Sequence, residues 1–157
     1  MLEAEGDLWE YPADARVITT NGFLKKDGTL VMGRGVALQA KTRYPILPSL
    51  LGNLVALRGN VVNLVVTDHE PPIQIATLPV KHVYWRSADT ELIKKSLVDL
   101  VKLADEMEWK VVALPRPGCG NGGLSWEDVK PLLVDVLDDR FVVVNNEAKA
   151  GLDKQEE

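Results

Sequence analysis

The fold class this sequence predicts is a three-layer α/β/α sandwich around a central mixed β-sheet, and three observations predict it. Apolar runs of strand length alternate with helix-patterned segments along the 157 residues. Their order is strand, strand, helix, strand, strand, helix, strand, helix, strand, which requires helices on both faces of one sheet. The clearest helix, Thr90–Met107, sets Ile93, Leu97, Leu100, Ala104 and Met107 on one stripe, while Glu91, Lys94, Lys95, Asp99, Lys102 and Asp105 face water. Finally, residues 110–129 read as strand, glycine-rich loop and helix start, the connection typical of open α/β sheets.

Each element has its own signal. Gly6, Asp7, Leu8 and Trp9 end a short first segment, and Ala15–Thr20 reads as a strand of mixed exposure. Asn21-Gly22 opens a solvated loop through Lys25, Lys26, Asp27 and Gly28, with Asp27-Gly28 suited to a hairpin tip. Residues 36–44 have good helix formers and stop before Pro45. Residues 45–51 are expected to be an irregular or short helical connection. Residues 60–67 and 73–78 read as adjacent strands joined by Asp68-His69-Glu70-Pro71-Pro72. Asp89 is the expected N-cap of the long helix. Residues 110–114 form a buried strand. Ser125 caps the last helix with Asp128 three residues on, and Leu124 and Val129 are placed for a hydrophobic staple. Val129, Leu133 and Val136 face inward from that helix. Pro131 within it means either a separate first turn or a bend. Residues 141–144 are the last strand, and residues 147–157 are polar and expected to fray.

Composition narrows the classes. Hydrophobic content of 46% and charged content of 26% describe an ordinary globular chain, expected to be a single domain over residues 1–157. No apolar run reaches membrane-spanning length, and the start is acidic where a signal peptide would be basic, so a cytoplasmic monomer without membrane contact is expected. One cysteine excludes an internal disulfide, and one cysteine with two histidines argues against a metal site. A net charge of −5 argues against an extended nucleic-acid surface but permits a local basic rim.

Two glycine loops are the candidates to carry the chemistry, the alternative for each being a tight turn or plain helix entry whose glycines serve packing only. Gly118, Cys119, Gly120, Asn121, Gly122, Gly123 and Leu124 follow the buried strand and precede a helix start. Met32, Gly33, Arg34 and Gly35 precede the first helix. Glycines let a ligand approach the main chain, and a helix N-terminus offers unpaired N–H groups and the positive end of the dipole. Phosphate is the anion such cradles hold. The spacing fits a dinucleotide fingerprint formally, but the loop comes too late in the chain, and no P-loop motif is present. Both loops, Asn21 and Lys81 follow strands, so they can meet at the carboxyl ends of the sheet. Taken alone, Lys81 also reads as a solvated strand-end lysine, and Cys119 as a small loop residue. Tyr84 and Trp85 are candidates either to stack on a substrate base or to cap the core.

These residues resemble the macrodomain family, whose members bind ADP-ribose. Met32 to Gln39 and Pro117 to Leu124 carry the resemblance, which spans nearly the whole chain. Leu78 to His82, with Trp85 and Arg86, is most similar to the antitoxin-type branch that removes ADP-ribose from DNA. The resemblance implies that Asp7 holds the adenine amino group with Leu8 beside it. It implies that Gly33, Arg34, Gly35 and Val36 wrap the diphosphate and distal ribose together with Gly118 to Leu124. Asn21 would stand near the distal ribose and Lys81 would be the catalytic lysine, with His82 and Arg86 as auxiliary cations. The implied partners are ADP-ribose and ADP-ribosylated DNA or protein, and no cofactor is implied. Some relatives use an aspartate in the second glycine loop; Gly122-Gly123 stand there, which excludes a mechanism built on that acid. The implied reaction is hydrolysis at the distal ribose C1, with Lys81 either attacking C1 or acting as a fixed cation. A non-catalytic reader of ADP-ribose, or a phosphatase acting on ADP-ribose 1″-phosphate, are the alternatives.

Overall fold

The structure is a computed structural model and describes residues 1–145; the tail expected to fray lies outside them. Among these residues, strands β1 Leu2–Glu5, β2 Ala15–Thr20, β3 Leu64–Val66, β4 Gln74–Pro79, β5 Val112–Leu114 and β6 Phe141–Asn145 form one sheet in the order β1-β6-β5-β2-β4-β3. All pairings are parallel except β3 against β4, so the sheet is mixed. Helices α1 Gly35–Arg43 and α2 Leu47–Arg58 cover one face, and α3 Thr90–Met107 and α4 Trp126–Val134 cover the other.

Strand alternation assigns side chains to the two cores. Val17, Ala76, Leu78, Val112, Leu114, Phe141 and Val143 meet Ile93, Leu97 and Leu100 of α3 and Val129 and Leu133 of α4. Their neighbours in sequence, Ile18, Ile75, Ala113, Val142 and Val144, turn to the opposite face and meet Ala37, Ala40, Leu47 and Leu51. A strand buried on both faces reads as a near-continuous apolar run, which is why residues 141–144 are all valine or phenylalanine. Truncating fully buried Leu97 to alanine costs about 2–5 kcal/mol by the usual large-to-small rule.

Four expectations need correction. Residues 45–51, expected to be an irregular or short helical connection, instead lead into a full helix, because α2 starts at Leu47 and runs twelve residues. Pro48 stands in its first turn, where a missing N–H costs nothing. Gly52 is required by packing, since a Cβ there would lie 2.0 Å from the Gly28 carbonyl oxygen. The hairpin tip at Asp27-Gly28, closed by the Leu24–Leu30 bridge, thus rests on α2. The strand expected over 60–67 shrinks to Leu64–Val66, because Asn60 and Asn63 are used elsewhere. The Asn60 side-chain amide donates to the Lys81 carbonyl at 2.9 Å, and the Asn63 backbone N–H donates to the Thr77 hydroxyl at 2.8 Å. Met107, expected inside, is 40% exposed at the last helical position. Pro131 leaves α4 as one short helix, and Val136 lies beyond its end.

The caps hold as expected. Asp89 accepts from the Glu91 N–H at 2.9 Å, and the Ser125 hydroxyl accepts from the Asp128 N–H at 3.2 Å. An uncapped N-cap of this kind costs about 0.5–2 kcal/mol.

Candidate functional site

Four parallel strands, β2, β4, β5 and β6, end on one rim, and a cavity of about 630 Å3 opens there. Its walls come from the residues that follow those strand ends: Asn21 after β2, Lys81 after β4, the glycine loop after β5, and Asn145 at the end of β6. The first helix closes it from one side.

That helix starts without a side-chain cap. Arg34 is the N-cap of α1 in extended conformation, its side chain makes no capping hydrogen bond, and no acid stands in the first turn. By contrast, α3 and α4 are capped by Asp89 and Ser125 and carry acids in their first turns. The positive end of the α1 dipole is therefore directed at the cavity, while that of α4 is consumed locally. Of the two helix starts expected to offer an anion site, the one after the first glycine loop is the one left without a side-chain cap.

The second loop serves as the opposite wall. Gly118 adopts φ of 74° and is pressed so closely by Ile93, Leu124 and Ala88 that a Cβ would meet their side chains at 2.9–3.1 Å. Residues Gly120–Gly122 form a single 3-10 turn. Gly35, with φ of 57°, brings the two loops together, since a Cβ on it would lie 3.3 Å from the Asn121 Nδ2. Gly118, Cys119, Gly120, Asn121 and Gly122 line the cavity, as do Gly33, Arg34, Gly35 and Val36; Gly123 and Leu124 are not among the lining residues, and Leu124 instead packs against the core.

Lys81 is fixed by main chain. Its Nζ donates to the Asn121 carbonyl at 3.1 Å and to the Tyr84 carbonyl at 3.4 Å. The segment carrying it is tied down by Asp89 N–H to the Val80 carbonyl at 2.8 Å and Ala88 N–H to the Gly122 carbonyl at 2.9 Å. Lysine, glycine loop and the start of α3 thus form one hydrogen-bonded unit.

The other expected residues divide. Leu8 lines the cavity and Asp7 does not; the Asp7 Oδ1 accepts from the Trp9 N–H at 2.9 Å, and Arg16 braces the same turn by donating to the Leu8 and Tyr11 carbonyls. Asn21 lines the cavity, but its Nδ2 donates to the Val31 carbonyl at 3.1 Å and its Oδ1 accepts from the Phe23 N–H at 2.9 Å. That arrangement fixes the Asn21 side chain against the loop that follows it. His82 is exposed, outside the lining, with Nε2 2.7 Å from Asp89 Oδ2. The His82 ring, and then the Glu91 amide, hold the Asp89 carboxyl below its ordinary range. Burial pushes the Cys119 thiol up, against a smaller opposing effect of Arg116, so the loop does not carry a ready thiolate.

One lining residue was not legible beforehand. Arg116 follows β5, stacks its guanidinium 5.0 Å from the Trp126 ring centre, and has a buried Nε without a partner among the described residues. In sequence it is a bare arginine between two prolines. Together with Arg34 and Lys81 it gives the cavity three cations, and among the described residues no carboxylate lines it. In a chain of net charge −5, that is a local concentration of positive charge. No three His, Cys, Asp or Glu side chains converge as a metal site among the described residues.

Comparison with known proteins identifies the fold. The family described as Macro domain matches residues 26–133. A Mycobacterium tuberculosis protein named DNA ADP-ribosyl glycohydrolase is 36% identical over 138 residues, covering 84% of this chain and 37% of that protein. The chain therefore spans little more than a third of that relative. The solved macrodomain of Mycobacterium tuberculosis DarG superposes with a TM-score of 0.78 at 31% identity, covering 91% of this chain and 96% of that one. Thermosipho africanus DarTG, solved in complex with ADP-ribose, shares the fold with a TM-score of 0.76 at 19% identity, covering 92% of this chain and 42% of that one.

Proposed function

Since the chain belongs to the macrodomain family, we propose that its cavity binds ADP-ribose and that it acts as an ADP-ribosyl hydrolase, releasing ADP-ribose from modified DNA. The observation that carries this reading is the cavity itself. Three cations, an uncapped helix start and two glycine loops surround a space that no carboxylate lines among the described residues, and the Lys81 ammonium stands in its wall. A diphosphate needs such a cradle. Free ADP-ribose is the product, so water must supply a hydroxyl to the distal ribose C1 while its proton goes to the departing acceptor. The transition state has oxocarbenium character, and negative charge develops on the leaving group. A fixed ammonium beside that group lowers the barrier without reorganising. Asn21 shapes the wall through its loop contacts, and Arg34 and Arg116 hold charge.

DNA as the acceptor is favoured by the names of the relatives that are 34–36% identical over most of this chain, although this chain spans only part of them. No helix among the described residues is long and apolar enough to cross a membrane. We place the activity in the cytoplasm, on residues 1–157 as a monomeric domain; light scattering at the mass of one chain checks the monomer. The functional test is incubation with an ADP-ribosylated single-stranded oligonucleotide and an ADP-ribosylated protein, monitoring free ADP-ribose. Release from the oligonucleotide supports the hydrolase. Binding of ADP-ribose with no release from either substrate makes the chain a reader instead.

A further inference from the structure

A second, smaller cavity of about 330 Å3 adjoins the first, and Arg34, Lys81, Tyr84 and Asn121 line both. Lys81 thus stands on the boundary between two spaces. If the bond to be cut lies at Lys81, ADP-ribose on one side of that bond fills the larger cavity, and the acceptor on the other side enters the smaller one. We infer that this annex is the acceptor site, and that it is built to hold one unpaired nucleotide of a single strand, with Trp85 stacking on the base and Arg86 meeting a backbone phosphate. The inference rests on the hydrolase reading above.

The residues that the annex adds are Trp85, Arg86 and Ser87. Trp85 is 59% exposed and Tyr84 49% exposed, an unusual outlay of aromatic surface beside a polar cleft. Neither ring is loose. Phe23, Tyr84 and Trp85 contact one another edge to face, with ring centres 5.0–5.3 Å apart. Phe23 is held in turn by its N–H to the Asn21 side chain at 2.9 Å. The loop after β2 therefore serves as a prop for the shelf. A rigid aromatic surface binds a base at low entropic cost, and every base offers a π-face to it. Arg34, Lys81 and Arg86 line the same annex with no carboxylate among its described residues, which suits a phosphate flanking that base. A protein acceptor would use neither feature, since a modified side chain brings no base and its flanking backbone is neutral. Within a duplex the modified base would first have to leave its stack, so a single strand fits better.

The test compares affinities on the Lys81→Ala chain, so that substrate persists. An ADP-ribosylated single-stranded oligonucleotide, an ADP-ribosylated peptide and free ADP-ribose are titrated against it, alone and with Trp85→Ala, Trp85→Phe or Arg86→Gln added. The oligonucleotide should bind more tightly than ADP-ribose. Trp85→Ala should reduce that advantage about 5- to 150-fold, the range for losing one stacked base. Trp85→Phe should keep most of it, and Arg86→Gln should flatten its salt dependence. Free ADP-ribose should bind equally to all. An oligonucleotide advantage that survives both Trp85→Ala and Arg86→Gln overturns the inference, as does an advantage shown by the peptide alone. Equal losses for free ADP-ribose and the oligonucleotide would place these residues in the ADP-ribose site and overturn it too. If ADP-ribose binds nowhere, the underlying reading fails; if it binds but the wild-type chain releases none, the hydrolase reading fails while the affinities still decide the annex.

Discussion

The Lys81 ammonium donates to the Asn121 carbonyl at 3.1 Å, joining a strand end to a glycine loop forty residues away. The bond makes the lysine's position depend on the loop's conformation, and the loop's conformation depends on glycines. Substitutions in either should therefore be felt at the other.

Gly35 is the sharpest case. Its φ of 57° and the 3.3 Å approach of Asn121 Nδ2 to a Cβ leave no room for a branched side chain. Gly35→Val should lower stability by about 1–3 kcal/mol, the usual cost of a strained backbone, and should weaken ADP-ribose binding severely. Calorimetry and thermal melting report both; wild-type affinity would show that the two loops do not form the cradle.

Asp7 is assigned to adenine by resemblance, yet its Oδ1 is already engaged by the Trp9 N–H. Asp7→Asn keeps that bond and turns the other oxygen into a donor, which cannot accept from an amino group. ADP-ribose affinity should fall by about 1.5–3 kcal/mol while ribose 5-phosphate binds as before. Equal losses for both ligands would give Asp7 a purely structural role.

Cys119 should be chemically quiet. Burial raises its thiol, so alkylation by iodoacetamide at neutral pH should be slow and should accelerate only above the ordinary thiol range. Cys119→Ser should turn over normally. Rapid labelling at pH 7 would contradict the buried setting.

The pH dependence of stability follows from Asp89. Its carboxyl is held below the ordinary value of 3.8 by the His82 ring and then the Glu91 amide. A lowered folded-state value means stability that is present above that ordinary value and is lost as pH falls through the folded one. Asp89→Asn should therefore flatten the acid limb of a melting-temperature profile while leaving the neutral region nearly level. An unchanged acid limb would show that the cap does not titrate with unfolding.

The sheet and the caps were legible because their signals are local: alternation for two buried faces, Ser125 and Asp89 at helix starts, and Thr90–Met107 by its stripe. Helix α2 was legible only as an irregular or short helical connection, because proline and glycine such as Pro48 and Gly52 disfavour a helix interior until their places are known. Pro48 occupies the first turn and Gly52 makes room for Gly28, a contact between segments far apart in sequence. The lining positions of both glycine loops could be named from spacing, whereas Gly123, Leu124 and His82 could not be sorted from their neighbours without the backbone path. Arg116 was invisible for the same reason: only its stacking on Trp126 and its place at the cavity wall distinguish it.

The central claim is that Lys81 acts on the bond between ADP-ribose and its acceptor, and single-turnover release of ADP-ribose from an ADP-ribosylated oligonucleotide tests it most directly. Lys81→Ala should slow release by at least about 10²–10⁴-fold, the scale of a positioned acid or base, while ADP-ribose affinity stays within error. Lys81→Arg separates the two roles of the lysine, since arginine keeps the charge but cannot lose its proton to attack C1. Substantial release by Lys81→Arg, with Lys81→Ala inactive, is the result expected of a fixed cation. Normal release by both variants would contradict the account.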